Sequence, residues 1–333
     1  MAKLCTFGLI KQNWLQQNLK YITQAYPTFL SVLAKTLAPI RRKMRLTLLL
    51  MLLLFSIAGK SQSSYSGYLG EFPITLVIYH YSDGVSLAYY AYNNYDSPIT
   101  INGRLKKGTL ELFEKNKDGN NSAILIFEGF EEGNQEIKGK WINSDSSKTY
   151  QITLKKDFDI GYGVNFEWAN KELLQSKSTK EHYFKTMITK EKGDFSARIS
   201  GVKIFQKQTD KLIQTIELDC QLFGVDNLSV GDYNFDGIQD FSVFEASYTG
   251  PNTSSIYILR NPNSDQYIKS DFSGTSLEFD YDSKLIYEHN QCCAGRSHMN
   301  VTYKVVNNQM VLIEKKCLEY NDEKEDFIET ECE

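Results

Sequence analysis

Asp232, Asn234, Asp236 and Asp240 stand in the run Asp232-Tyr-Asn-Phe-Asp-Gly-Ile-Gln-Asp240. Their types and spacing suit the binding of a calcium ion, which takes about six to eight oxygen ligands. Alternate side chains on a tightly turning loop point at one centre, and Asp232, Asn234 and Asp236 alternate. Gly237, sixth in the run, lets the backbone turn sharply, and the seventh residue, Ile238, offers its carbonyl. Asp240 ligates directly or through water, and Asp226 stands close enough upstream to supply a further oxygen. Without a cation the three carboxylates repel one another. The competing reading is an Asx-rich turn that holds no metal. The run is not an EF-hand: Val243 occupies the position of the bidentate Glu, and Leu228-Ser-Val230 and Phe241-Ser-Val-Phe244 read as strands, not helices.

Other chemistries are less well provided for. No Ser/His/Asp, Cys/His or His-rich set stands at a usable spacing, so the chain reads as non-catalytic. A two-carboxylate glycosidase stays open, because its acids need not be neighbours in sequence. His80 has no matched acid or nucleophile nearby and reads as a strand residue. Asp157-Phe-Asp159-Ile-Gly161-Tyr-Gly163 matches no phosphate loop. Tyr79, Tyr81, Tyr89, Tyr90, Tyr92 and Tyr95 either line a sugar- or peptide-binding surface or pair across strands in a small β core.

The elements that position these residues follow from length and pattern. The chain has 333 residues. Arg41, Arg42, Lys43 and Arg45 precede an apolar stretch, Leu46 to Ala58, too short to span a bilayer core of about 30 Å. This reads as a secretory signal starting at Met44, with cleavage before Gly59, and implies a periplasmic or secreted protein. Residues 1–58 carry eight basic residues and no acidic one, so removing them moves the net charge from −4 to −12. An acidic surface disfavours nucleic acid and anionic lipid. No Cys follows the apolar stretch as a lipid-attachment site, so the mature chain is expected to carry no membrane anchor.

Five cysteines remain: Cys220, Cys292, Cys293, Cys317 and Cys332. In an oxidising compartment disulfides are the default. Adjacent cysteines rarely pair with each other, because their Cα atoms lie about 3.8 Å apart. One of Cys292 and Cys293 is therefore expected to pair with Cys317, and the other with Cys332 or Cys220. Zinc is the poorer reading, for want of CxxC spacing and histidines.

The whole reads as all-β, with two antiparallel domains joined by a short helical linker. In residues 65–155, seven short strands separated by turns such as Ser82-Asp83-Gly84 and Asn102-Gly103 predict a meander closed as a barrel or sandwich. Residues 156–185 form the join, with Trp168 to Lys177 as its helix. Residues 186–317 hold the calcium loop within eight further strands, and Asn307-Asn308 marks a tight hairpin. The acidic residues 318–333 read as a solvated tail or edge pinned by Cys332.

The run Val230-Gly-Asp-Tyr-Asn-Phe-Asp-Gly-Ile-Gln-Asp-Phe241 resembles a bacterial family of periplasmic proteins with a D-x-N-F-D-G-x-x-D signature. Gln206 to Ile216 and Tyr257 with Asn261-Pro262 fit the pattern on either side, and the likeness covers residues 195–316. The family's best-understood type is an immunity protein that inhibits a lysozyme-like peptidoglycan hydrolase. The resemblance implies a β-rich fold, bound calcium on Asp232, Asn234, Asp236 and Asp240, and a peptidoglycan hydrolase as protein partner. No motif carries over the inhibitory residues. Cys292-Cys293-Ala-Gly-Arg-Ser-His298 reads either as a disulfide-tied hairpin connection or as an exposed loop presenting Arg296 and His298 to an acidic cleft. A carbohydrate-binding protein, with Tyr and Trp faces stacked on a glycan, is the alternative function.

Overall fold

Ile74, Leu76 and Ile78 alternate with Thr75, Val77 and Tyr79, and that period of two gives the strand two unlike faces. The first set lines the inside of a barrel, and Val77 and Tyr79 pack outward against a second core. The computed structural model describes residues 61–94, 97–161, 164–165 and 167–332. The expected signal, with Met44 and the cleavage before Gly59, lies outside the described residues, as do Tyr95 and Gly163.

Eight antiparallel strands form the barrel: β1 (Ser61–Leu69), β2 (Phe72–His80), β3 (Val85–Tyr92), β4 (Ile99–Lys106), β5 (Thr109–Lys115), β6 (Asn121–Glu128), β7 (Glu136–Asn143) and β8 (Thr149–Asp159). Each pairs with the next, and β1 pairs with β8 to close the ring. An eight-stranded barrel is just wide enough for side chains to fill it. Here Tyr65, Leu76, Tyr90, Leu110, Leu112, Phe127 and Leu154 do so. Close strand approach is bought with glycine at Gly103 and Gly67, where a Cβ would meet backbone oxygens of Glu111 at 1.7 Å and Thr153 at 2.2 Å.

Seven of the eight strands fall where the sequence predicts them, although Asn102-Gly103, expected as a turn, lies inside β4, where the missing Cβ lets the strands approach; β1 was not foreseen. Its Gln62, Ser63 and Ser64 are buried, which their composition does not announce. Ser63 donates to Asp159 at 2.5 Å, and Ser64 and Ser66 donate to Asp157 at 3.1 and 2.7 Å. Those bonds make a polar strand tolerable against β8.

The rest of the chain stacks three antiparallel sheets. The first runs in the order β12-β11-β10-β9, from β9 (Trp168–Ser178), β10 (His182–Lys190), β11 (Arg198–Gln206) and β12 (Lys211–Gln221). The second is β13 (Leu228–Gly231), β14 (Asp240–Ser247), β15 (Thr253–Arg260) and β16 (Tyr267–Lys269). The third holds β17 (Glu278–Asp280), β18 (Leu285–Cys292), β19 (Ser297–Val306), β20 (Gln309–Asn321) and β21 (Asp326–Thr330), with a 3-10 turn at Cys293–Gly295. Alternation along β15 makes the second sheet the middle layer. Ile256 and Ile258 face Phe184, Ile199 and Ile204 of the first sheet, while Tyr257 and Leu259 face Phe272 and Ile286 on the other side. The barrel is fastened to this stack by Tyr89, whose hydroxyl donates to the Leu174 and Val225 carbonyls at 2.7 and 2.9 Å.

Two expectations are corrected, and one alternative is decided. Trp168 to Lys177 is strand β9, not a helix: Leu173, Leu174 and Gln175 are all buried, and its backbone pairs with β10. Burial against the barrel and pairing with the neighbouring strand override the favourable helix propensity of Lys, Glu and Leu. Cys317 does not pair with Cys292 or Cys293 but with Cys332. The hairpin register sets Cys317 opposite Thr330, which brings the chain's last cysteine alongside. The acidic stretch expected as a tail or edge is an edge hairpin: β20 continues to Asn321, and β21 is pinned by Cys332. Among the described residues no helix is long and apolar enough to cross a membrane.

Phe184 is fully buried between sheets, with its ring centroid 4.6 Å from that of Phe241. Phe184→Ala is expected to lower the unfolding free energy by about 3–5 kcal/mol, read by urea denaturation. A loss below about 1 kcal/mol would mean that the first two sheets do not pack face to face.

Candidate metal centre

β13 and β14 pair in a register that sets Gly231 opposite Asp240, so the intervening acidic run is the connection of a hairpin. Phe235 and Gly237 both take positive φ, 62° and 87°, and fold the connection back on itself. The side chains then cap the backbone. Asp232 accepts from Asp236 N at 3.0 Å and from Gly237 N at 2.8 Å. Asp236 accepts from Ile238 N at 2.8 Å, and the Asn234 amide donates to its other oxygen at 3.0 Å. Asn234 Oδ1 accepts from Asp236 N at 3.3 Å.

Asp240 differs from the rest in being fully buried. Its oxygens accept from Tyr233 N at 2.9 Å and from Arg260 N at 2.8 Å, joining the loop to β15. Burial above all, helped by the negative charges of Asp236 and Asp232 and opposed by those two hydrogen bonds, pushes its carboxyl up to about 7. The loop is also held from outside by three neighbours. Asn234 donates to Asn308 Oδ1 at 2.9 Å, Lys284 Nζ to Phe235 O at 3.3 Å, and Lys180 N to Gln239 Oε1 at 2.9 Å. Tyr233 and Phe235 anchor it by their rings, each against Phe279.

The donor set fits a hard cation. A carboxylate has about four lone-pair sites, and the amide bonds above use one on each oxygen. Asp232 and Asp236 are therefore capped without being exhausted, and oxygen is the ligand calcium prefers. Among the described residues no three His, Cys, Asp or Glu side chains are grouped to hold a metal by themselves. A site here draws on Asn234 and the Ile238 carbonyl as well as on the acids. Asp226 is turned elsewhere: it accepts from Ser176 Oγ at 2.8 Å.

Two further places bear on function. A cleft of about 500 Å³ opens beside the loop, lined by Gly237, Ile238, Gln239, Arg260 and Glu181. Arg260 bridges Glu181 at 2.7 Å and Asp265 at 3.0 Å there. A second groove of about 410 Å³ runs between the barrel and the first sheet, lined by Tyr92, Phe205, Glu172, Lys185 and Lys203. Glu172 is held below its usual value, against the upward push of burial, by Lys203 and Lys185.

Sequence reasoning missed a trio in the barrel. His80 Nδ1 lies 2.8 Å from Ser86 Oγ, and its Nε2 lies 3.8 Å from Glu132. The arrangement has the composition of a hydrolytic triad, but Ser86 is fully buried, so no substrate carbonyl reaches its Oγ. The tyrosines divide by strand face. Tyr90 points into the barrel and donates to Glu114 at 2.9 Å, while Tyr89 points out to the sandwich. The spacing of Tyr89 and Tyr90 was the available signal, since adjacent strand residues face opposite ways.

His182 is buried beside the cleft, with Nδ1 2.9 Å from the Tyr267 hydroxyl. Burial, and then the Arg260 charge, lower its pKa. Below the unfolded value of about 6.5 the unfolded chain therefore binds the proton more readily than the folded one. Stability is expected to rise with pH up to that point and to be lost as pH falls through it. His182→Gln should flatten the acid side of a urea-denaturation series from pH 5 to 8. Taking the difference from wild type removes the contribution of Asp240, which has the opposite sign. Parallel profiles would mean that His182 is not held neutral.

No protein family and no curated protein matches this chain.

Proposed function

We propose that this chain is an exported, calcium-binding, non-catalytic protein that binds another protein, as an inhibitor or immunity-like factor acting on a lysozyme-type peptidoglycan hydrolase. The hairpin connection between β13 and β14 carries the reading. It holds Asp232, Asn234 and Asp236 by their own loop amides at a sharp reversal, with Ile238 next in the run and Asp240 buried at its end. Bound calcium would supply charge neutralisation for Asp232, Asp236 and Asp240. The chain's own part is to hold those oxygens in place through the amides of Tyr233, Asp236, Gly237 and Arg260. A loop already rigid before contact loses less entropy on binding a partner. The non-catalytic part of the reading is supported by the burial of Ser86 and by the ion pairing of Glu172.

The groove at Tyr92 and Phe205 favours a second reading, a carbohydrate-binding protein. It sets aromatic rings beside Glu172, Lys185 and Ser66, the mixture of apolar face and polar edge that a sugar presents.

Thermal melts in EGTA and in millimolar calcium test the metal. At about a hundredfold excess over the dissociation constant, calcium should add about 2.7 kcal/mol of stability. That gain should vanish in Asp232→Ala/Asp236→Ala. An unchanged melt in wild type would remove calcium from the reading. Clearing of a peptidoglycan suspension by added lysozymes tests the partner. Inhibition by the calcium-loaded protein, lost in the double variant, is expected. Full clearing together with retention of the protein on insoluble polysaccharide would favour the second reading.

A further inference from the structure

Cys292 and Cys293 are both exposed, and their sulfurs lie 3.0 Å apart. Neighbouring side chains on a strand point to opposite faces, so two adjacent thiols do not normally meet. The backbone here overcomes that. Cys292 ends β18 in an extended conformation, φ −136° and ψ −175°. Cys293, Ala294 and Gly295 then all take positive φ, at 56°, 57° and 81°. For Cys and Ala this left-handed region is sparsely populated, and such strain persists only where the surroundings impose it. The turn is closed by Arg296 N donating to Cys293 O at 3.3 Å, and Tyr320 N ties it to β20 through Arg296 O at 2.8 Å. The strained step swings the second thiol onto the first.

No other described cysteine competes for either sulfur. Cys317 and Cys332 are bonded to each other, and Cys220 is fully buried in the core of the first two sheets. The neighbouring Cys292 sulfur also holds the Cys293 thiol above its usual value.

We propose that Cys292 and Cys293 form a redox-active vicinal pair, closing into a disulfide with each other by exchange with a disulfide donor and reopening on reduction. One thiolate attacks a donor sulfur, making a mixed disulfide and releasing one donor thiolate. The second cysteine, as its thiolate, attacks the protein sulfur of that mixed disulfide and releases the other donor thiolate. Two electrons pass to the donor, and the two cysteine protons end on the two released thiols. A bridge between residues with Cα atoms about 3.8 Å apart lies below the usual disulfide span, and strained, exposed disulfides are the labile ones. The pair is thus suited to opening and closing rather than to permanent stapling, in a turn closed by Arg296 and followed by His298 in β19. This inference rests on the geometry at the end of β18 and is independent of the calcium loop.

The test is mass mapping of the purified protein after incubation in oxidised glutathione and blocking with N-ethylmaleimide. Cleavage after Lys284 and Arg296 isolates both cysteines in one peptide, 285–296. The expected peptide is lighter than the dithiol by two hydrogens and carries neither glutathione nor maleimide. After reduction it should take up two maleimides, and in the reduced Cys317→Ser/Cys332→Ser variant the protein should bind one phenylarsine oxide. Cys293→Ser cannot close and should keep one glutathione on Cys292. A wild-type peptide that keeps glutathione, carries two maleimides after oxidation, or is cross-linked to the peptide of Cys220, Cys317 or Cys332 would overturn the proposal. So would failure of the reduced Cys317→Ser/Cys332→Ser variant to bind the arsenical.

Discussion

Asp240 sits without exposed surface at the start of β14, its two oxygens taken by the backbone amides of Tyr233 and Arg260. A carboxylate in that position is costly to bury and costly to leave unsatisfied, so the geometry around it has little freedom. One amide comes from the acidic loop and the other from β15, and the same side chain therefore sets the loop's angle to the middle sheet. Asn234, Lys284 and Lys180 extend the constraint to the β19–β20 turn, the β17–β18 connection and the β9–β10 turn. All three sheets thus meet at one short segment, and its conformation is a property of the whole stack.

The middle sheet makes that possible. Covered on both faces, the middle sheet carries Phe241 and Val243 with Ile256 and Ile258 on one face, and on the other Tyr257 and Leu259 of β15 beside Ser242 of β14, whose Oγ lies 3.0 Å from the Tyr233 hydroxyl. The outer sheets each have one covered face, and the third leaves Leu312 and Ile313 of β20 largely exposed. Lysines and glutamates flank that stretch, which is how edges and open faces resist pairing with other chains.

Much of the fold was legible because its signals are local. The pair Asn307-Asn308, both with positive φ, marks a hairpin, and the alternation of Ile74, Leu76 and Ile78 announces a two-faced strand, whereas Asn102-Gly103 has the look of a turn but runs through β4. What escaped depends on partners distant in sequence. Ser63 and Ser64 look like loop residues until Asp157 and Asp159 are beside them. Leu173, Leu174 and Gln175 suit a helix until β10 pairs along the edge of β9 and the barrel and the middle sheet pack against it. The acid-rich end left tail and edge undecided because an edge hairpin, solvated on most of its surface, has the same composition as a tail. At the loop, residue types and spacing announced a tight acidic turn, but not that Asp240 would be buried, since that follows from where β15 runs. Asp226, near in sequence, lies against β9 instead.

The ring of eight strands closes between its first and last members, and the bond from Ser63 to Asp159 joins positions 96 residues apart. Seven of the eight pairings are between neighbours in sequence and can form as hairpins within microseconds. The eighth must wait until the rest of the meander exists, and bringing such distant ends together is entropically unfavourable. Folding of the barrel is therefore governed by one late, long-range event, in the slow regime typical of non-local β topologies. Until then β8 is an open edge, and the serines of β1 remain in water, where polar side chains are at no disadvantage. The polar strand that composition could not identify is for that reason well suited to arrive last.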